Sequence, residues 1–248
     1  MKLSVTLVEN CSGPPLFIVP SAATTSLSLT LLARSISPPR PIHSFVFPDL
    51  EDKRIEPQTV EEMGTQFVSE MKSIQPEGPY FLAGHCFGAT PAMEVVTQLE
   101  AAGETVALLI LIESFSVGIA ETAVAESTQP LKLYSSEYGE DLGKAATEIV
   151  TQIGSKLSLL PIDIRDHFTR VTTHHLHLAF SYRAKPITAP IFQIRTTQHP
   201  ETVFKGWDHL TTDGYIERLI GGTTDSILQA PDVTTLANEI SDALIRFS

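Results

Sequence analysis

The sequence predicts an α/β fold, with a mainly parallel sheet that is covered by helices on both faces. Short apolar segments typical of buried strands alternate with longer segments of helical periodicity. One of the strand segments, residues 105–112, is apolar on both faces, as expected for a central strand of a parallel sheet. A glycine-rich motif also separates a predicted strand from a predicted helix. In such folds, ligands bind beyond the carboxyl ends of the strands, so this motif predicts the place of a site.

The composition limits the function. The 248 residues suit a single α/β domain over residues 1–248, and 42% of them are hydrophobic, which is enough for a sizeable core. The formal net charge of -12 argues against nucleic acid and against an anionic membrane surface as partners. The sequence has no signal-peptide pattern and no long apolar segment, so we expect a cytoplasmic protein. The two cysteines, Cys11 and Cys86, lack the spacing of a metal site.

The first predicted elements come from the N-terminal quarter of the chain. Residues 3–8 alternate between apolar and polar, which predicts an edge strand with one face in solvent. Residues 16–19 are fully apolar and predict a buried strand, and residues 42–47 predict another. The segment Thr59-Val60-Glu61-Glu62 has the spacing of a capping box. It predicts the start of a helix whose apolar residues share one stripe: Val60, Met63, Phe67, Met71 and Ile74.

The glycine-rich motif follows this helix. An apolar segment, residues 80–83, leads into Gly84-His85-Cys86-Phe87-Gly88, and residues 91–102 predict a helix. The Gly-x-Cys-x-Gly pattern is typical of a nucleophile elbow, a strained turn from strand to helix that requires small residues on both sides of the nucleophile. Cys86 would stand at the positive end of the helix, and we expect this position to lower the pKa of its thiol. The alternative is a glycine-rich turn that holds a structural cysteine.

The second half of the chain completes the sheet around an insertion. Residues 105–112 bring Glu113 to the carboxyl edge of the sheet. The segment at about 114–186 contains no clear strand and includes a predicted helix at 163–182. Because it is far longer than an ordinary loop, we predict a helical lid. Strands are predicted at 190–194 and 215–220. A closing helix after Pro231 is expected to bury Leu236, Ile240 and Leu244.

Several motifs in combination resemble the thioesterase domains that release products from polyketide synthases and non-ribosomal peptide synthetases. The similarity covers nearly the whole chain and includes residues 13–20, 59–63, 75–80 and 98–109, the elbow, Gly206-Trp207 and the C-terminal helix. The resemblance implies an α/β-hydrolase fold, with a strand-end acid after the elbow helix and a histidine on the last loop before the C-terminal helix. It also implies a substrate delivered on the phosphopantetheine arm of an acyl or peptidyl carrier protein, with no bound cofactor.

The sequence departs from the family pattern at all three positions of the expected triad. Cys86 replaces the usual serine, and Glu113 stands where the family usually has aspartate. Thr224, in the loop Gly222-Thr223-Thr224-Asp225, occupies the place of the histidine. We therefore expect no general base at the usual position. The sequence leaves three interpretations of Glu113 open: it orients a relocated base, it acts as the base itself, or it is a relic.

Other histidines are candidates for the missing base. His199 lies on the loop that follows the first strand after the lid, at the edge of the sheet where catalytic groups gather. It is the preferred candidate, with a solvated loop histidine as the alternative. His174, His175 and His177 cluster on the predicted lid helix, with a plain helix surface as the alternative. We interpret His85 as structural, because adjacent side chains of an elbow point apart. The His-x-x-His pair in the lid has no visible third ligand, so we predict no metal.

An oxyanion hole needs two backbone N–H groups. The elbow motif assigns one of them to Phe87, the residue after the nucleophile. The resemblance assigns the other to Ala22, in the loop of small residues that follows the strand at 16–19.

We expect the protein to process a carrier-bound acyl thioester through an acyl-Cys86 intermediate. A thiol is strongly nucleophilic without a base, whereas activation of water needs one. Release or cyclisation of a polyketide or peptide chain is therefore favoured over simple hydrolysis. Two alternatives stay open: a non-covalent cyclase, dehydratase or isomerase that uses the same pocket, and a degenerate module that binds a carrier protein or acyl chain. The sequence fits either a free-standing protein or a domain of a larger one.

Overall fold

A computed structural model describes residues 2–22, 24–52, 54–55, 58–114, 158, 161–198 and 206–248. Within these ranges, seven strands form one sheet: β1 (Ser4–Val8), β2 (Leu16–Val19), β3 (Ile42–Phe45), β4 (Tyr80–His85), β5 (Val106–Ile112), β6 (Ile191–Thr196) and β7 (Tyr215–Ile220). The α-helices in the same ranges are α1 (Thr30–Ser35), α2 (Pro48–Glu51), α3 (Val60–Ile74), α4 (Ala89–Ala101), α5 (Ile162–Ser181) and α6 (Asp232–Arg246). Short 3-10 helices lie at Ser26–Leu29, Cys86–Gly88 and Trp207–Leu210.

The sheet is mainly parallel, as predicted. Its strands lie in the order β1-β3-β2-β4-β5-β6-β7, and β1 is the antiparallel member, paired with β3 at one edge. β4 and β5 are central, and their apolar residues are buried on both faces of the sheet. Because the remaining strands run parallel, the residues that follow β4, β5, β6 and β7 meet at a single edge. That edge is where the glycine-rich motif was expected to place a site.

Helices cover both faces. α3 and α4 lie on one face, over an apolar core that includes Phe17, Phe67 and Trp207. α1 and α6 lie on the other, where Leu236, Ile240 and Leu244 of α6 are buried as predicted. The capping box is also confirmed. The Glu62 N–H donates to Thr59 Oγ1 at 3.2 Å, and the Thr59 N–H donates to the Glu62 carboxylate at 2.9 Å.

The predicted lid segment, about 114–186, is described only in part, and α5 is its long described element. Polar contacts attach α5 to the body of the fold at both ends. A ring nitrogen of His167 lies 3.3 Å from the carbonyl oxygen of Leu50. Just beyond the C-terminal end of the helix, the Tyr182 hydroxyl donates a buried hydrogen bond to Glu94 Oε2 on α4 at 2.5 Å. The helix predicted at 163–182 is therefore present and lies firmly against the domain.

Candidate active site

The backbone around Cys86 has the geometry of a nucleophile elbow. β4 ends at His85, and Cys86 adopts φ 51, in the left-handed region that side chains other than glycine rarely occupy. A β-carbon at position 84 would collide with the backbone of Ala89, and one at position 88 would collide with the carbonyl oxygens of Val19 and Pro20. Both glycines of the motif are therefore required by close backbone packing. The turn leads directly into α4, which begins two residues earlier than predicted.

The Cys86 thiol is almost fully buried, with 5% of the residue exposed. Burial raises the pKa of Cys86 above the ordinary thiol value. Hydrogen bonds from the Ser21 hydroxyl and the Phe87 backbone oppose this rise in pKa only in part, and the charge of Glu113 adds to it. The expected lowering of the thiol pKa by the helix terminus is therefore wrong. Removal of the thiolate from water outweighs the donors that surround it.

Ser21 lies beside Cys86, although no sequence pattern indicated it as a residue of the site. It lies in the loop after β2, and its hydroxyl is within hydrogen-bonding reach of the Cys86 thiol. The Ser21 carbonyl accepts hydrogen bonds from the Thr24 N–H at 3.2 Å and from Thr24 Oγ1 at 2.8 Å, which fix the loop locally. The signal that could have identified it is a hydroxyl residue next to Ala22, the predicted oxyanion donor. Ala22 itself is buried in the same loop.

Glu113 and Thr224 meet at the carboxyl edge of the sheet. Glu113 follows β5 with φ 48 and is 1% exposed. Its Oε2 accepts a hydrogen bond from Thr224 Oγ1 at 2.6 Å and one from Thr196 Oγ1 at 3.2 Å, and its Oε1 accepts from the Thr196 N–H. The Thr224 N–H in turn donates to Gln198 Oε1 at 2.6 Å. Thr224 thus faces the acid from the position that the resemblance gives to histidine.

This arrangement has a hydrogen-bonded carboxylate, as a catalytic triad does, but it lacks the histidine of a triad. The threonine hydroxyl donates to the carboxylate, as the N–H of an imidazole would. An imidazole, however, has a second nitrogen that can take a proton from the nucleophile, and a hydroxyl has no equivalent basic atom. The described residues therefore offer no histidine between Glu113 and Cys86.

The histidines proposed as a replacement do not form one cluster. The preferred candidate, His199, lies outside the described residues. His177 is exposed, and a ring nitrogen of His174 lies 3.0 Å from the carbonyl oxygen of Gln58. His175 is fully buried, so the helix-surface interpretation is wrong for this residue. Its Nε2 lies 3.3 Å from Asp49 Oδ2, and its ring stacks on Phe87.

His85 is buried next to Cys86. Neither of its ring nitrogens has a hydrogen-bond partner among the described residues. Desolvation lowers the pKa of His85 to about 4, so the ring is neutral at neutral pH. A neutral, buried ring fits the structural role that we expected for it.

Three further observations concern the described residues. These residues contain no group of three His, Cys, Asp or Glu side chains that could hold a metal ion. No helix within them is long and apolar enough to cross a membrane. A cavity of about 640 Å³ opens between α2 and the start of α5, with Thr25, Leu50 and Phe168 in its wall. Its described lining includes neither Cys86 nor Glu113.

Comparison with known proteins gives a consistent result. The family model of the thioesterase domain matches residues 14–248. A dimodular nonribosomal peptide synthase of Bacillus subtilis (strain 168) is 28% identical over 211 residues, which is 80% of this chain and 9% of the synthase. Indigoidine synthase of Dickeya dadantii (strain 3937) is 32% identical over 111 residues, 45% of this chain and 8% of that protein. The chain therefore spans less than a tenth of the length of these relatives.

A solved structure gives the same fold. The NocB thioesterase domain from the nocardicin cluster superposes with a TM-score of 0.76 at 23% identity, covering 98% of this chain and 98% of that one.

Proposed function

The chain belongs to the thioesterase domain family, and on that premise we propose that it processes a carrier-bound acyl thioester through an acyl-Cys86 intermediate, with release or cyclisation favoured over hydrolysis. The observation that carries this proposal is the hydrogen bond from Thr224 to Glu113. In this hydrogen bond a threonine hydroxyl contacts the Glu113 carboxylate at the place where a hydrolytic triad needs a histidine. The bond therefore supports a site that lacks the usual general base. The similarity to a nonribosomal peptide synthase supports a carrier protein as the partner and a peptide or polyketide chain as the substrate.

The first half-reaction exchanges one thioester for another. The Cys86 sulfur attacks the acyl carbonyl carbon, and the N–H groups of Phe87 and Ala22 would stabilise the oxyanion that forms. Collapse of this intermediate breaks the bond to the phosphopantetheine sulfur, which leaves with the proton from Cys86. The two sulfur leaving groups are chemically similar, so this step needs less help from a base than the attack of an alcohol would.

The second half-reaction needs a nucleophile to remove the acyl group. Water is a poor choice here, because the described site holds no imidazole to take its proton, and a positioned base contributes roughly two to four orders of magnitude in rate. A hydroxyl, amine or acidic carbon of the acyl chain is held close to the thioester carbonyl by its own covalent connection. Its attack would release a cyclic product and return a proton to the Cys86 sulfur.

One observation favours a second candidate, a thioesterase-like module that binds a carrier protein or acyl chain without chemistry. Burial raises the pKa of Cys86, so the fraction of thiolate at neutral pH is smaller than for a free cysteine. A weakly ionised thiol without a base fits a site that has lost its catalytic role.

Intact-protein mass spectrometry separates these candidates. The protein is incubated with short acyl thioesters of pantetheine, and Cys86→Ala serves as the matched control. An acyl adduct on the wild type that is absent from Cys86→Ala supports the covalent mechanism. Full turnover of a carrier-bound chain by Cys86→Ala would instead indicate a non-covalent cyclase, dehydratase or isomerase. Carrier binding with neither adduct nor turnover would indicate the binding module.

A further inference from the structure

The buried pair formed by His175 and Asp49 is not explained by the thioester chemistry described above. Asp49 belongs to α2 and is 1% exposed, and His175 belongs to α5 and is fully buried. His175 Nε2 lies 3.3 Å from Asp49 Oδ2. His175 Nδ1 and Asp49 Oδ1 have no hydrogen-bond partner among the described residues. Polar groups buried in this way are costly for stability, so their presence calls for a role.

The imidazole of His175 lies flat against the ring of Phe87. The ring centroids are 4.5 Å apart and the planes differ by 11°. Phe47 contacts both members of this stack. The centroid of its ring lies 4.7 Å from that of His175 and 5.5 Å from that of Phe87. The ring of Phe87 is therefore held between α5 and the segment before α2. Its orientation depends on the His175 ring, and the hydrogen bond to Asp49 fixes the orientation of that ring.

The backbone of Phe87 is part of the reaction centre. Its N–H is the predicted oxyanion donor, and the Phe87 backbone also forms a hydrogen bond with the Cys86 thiol. Phe87 is the middle residue of the short turn Cys86–Gly88 and its side chain is buried, so the packing of that side chain bears on the position of its own peptide group. Oxyanion donors act only over a narrow range of distances, and displacements of about 1 Å can lower rates by about a hundredfold.

We propose that His175, fixed by Asp49, is a positioning residue that holds the Phe87 N–H where it stabilises the oxyanion of the acyl transfer to Cys86. This inference rests on the proposed acylation of Cys86. It assigns to His175 no contact with the substrate and no proton transfer. The partner carboxylate keeps the imidazole in one orientation, and the imidazole keeps the Phe87 ring in place.

Two reactions of the same thiol test this role. Acylation by a pantetheine thioester passes through an oxyanion, whereas alkylation by iodoacetamide displaces iodide at a saturated carbon and forms none. We expect His175→Leu and Asp49→Leu to slow acylation of Cys86 by at least about tenfold. Alkylation of Cys86 should slow by less than about threefold, because it forms no oxyanion and depends on the Phe87 N–H only through the hydrogen bond to the thiol. A merely structural loss would slow both reactions together.

Three further variants complete the design. Asp49→Asn retains a hydrogen-bonding side chain of the same shape. Unlike Asp49→Leu, it should acylate at a rate within about threefold of wild type. His177→Leu changes an exposed histidine of the same helix and should leave both rates unchanged. The double variant His175→Leu/Asp49→Leu replaces the pair with apolar residues that cannot stack on Phe87, and folded proteins usually tolerate such a replacement. It should still acylate about tenfold more slowly if the single variants do not fold.

The outcomes are distinct from those of the proposed function. If wild type forms no adduct at Cys86, the proposed function is wrong and this inference is wrong with it. If wild type is acylated and folded His175→Leu is acylated at the same rate, the inference alone is overturned. Equal losses of acylation and alkylation in the folded variants would also overturn it, because they would indicate a change in the thiol itself.

Discussion

Replacement of Thr224 by histidine tests whether the incomplete triad still has its geometry. Thr224 Oγ1 lies 2.6 Å from Glu113 Oε2, and Thr224 is half-buried, so a larger side chain has room toward solvent. An imidazole at this position could donate one N–H to Glu113 and present its other nitrogen to the nucleophile. We expect Thr224→His to accelerate hydrolysis of the acyl-Cys86 intermediate by about a hundredfold, the lower end of the contribution of a positioned base.

The measurement is a single-turnover assay of deacylation. Acyl-Cys86 is formed with a short thioester that carries no internal nucleophile, and loss of the adduct is followed by intact mass. The gain should increase as pH rises through the ordinary histidine pKa of about 6.5, because only the neutral imidazole accepts a proton from water. Thr224→Val removes the hydroxyl without adding a base and should show no gain.

Two controls identify the origin of any gain. Thr223→His places a histidine on the adjacent exposed position, away from Glu113, and should hydrolyse like wild type. Adding Glu113→Gln to Thr224→His should remove most of the gain, because the amide orients and stabilises an imidazolium less well than the carboxylate does. If Thr224→His is acylated normally but deacylates at the wild-type rate, the inferred alignment of Glu113, residue 224 and Cys86 is refuted.

Two further predictions concern the thiol and the missing base. Burial raises the pKa of Cys86, and the Ser21 hydroxyl opposes this rise. The pH midpoint of iodoacetamide alkylation should therefore lie above that of free cysteine, and Ser21→Ala should move the midpoint higher still. A midpoint below that of free cysteine, or one unaffected by Ser21→Ala, would contradict the described environment. Any base that remains is expected to be His199 rather than a histidine of the lid helix. In that case His199→Ala should lower turnover at least tenfold with nearly unchanged urea stability, whereas His177→Ala should be silent. Normal turnover in His199→Ala would contradict a role for His199 and would support a cysteine that works without any histidine.

The local features of the fold were predictable from sequence. The strand at 16–19 and the strand at 215–220 have the predicted bounds, because a short apolar or alternating run between turn residues has few other ways to bury its side chains. The elbow was predictable for a different reason. Its two glycines are required by close backbone contacts, so their spacing around Cys86 directly reflects the turn.

The chemistry of the site was only partly predictable. Motif order placed Glu113 and Thr224 at the acid and histidine positions, and the structure joins them by a hydrogen bond across 111 residues. The pKa of Cys86 was predicted in the wrong direction, because helix position is visible in sequence while the desolvation of the thiol is not. Ser21 was overlooked because a serine in a loop of small residues has no distinguishing pattern.

Patterns within single segments were enough to predict the order of strands and helices along the chain, the elbow at Cys86 and the absence of histidine at position 224. These follow from apolar periodicity and from residue spacing. The folded structure was needed to show how strongly the thiol is desolvated, that Glu113 is hydrogen-bonded to Thr224, and that His175 is buried against Asp49, which is 126 residues away. Desolvation and hydrogen bonds between distant segments depend on how those segments pack, and no local pattern of residues specifies that packing.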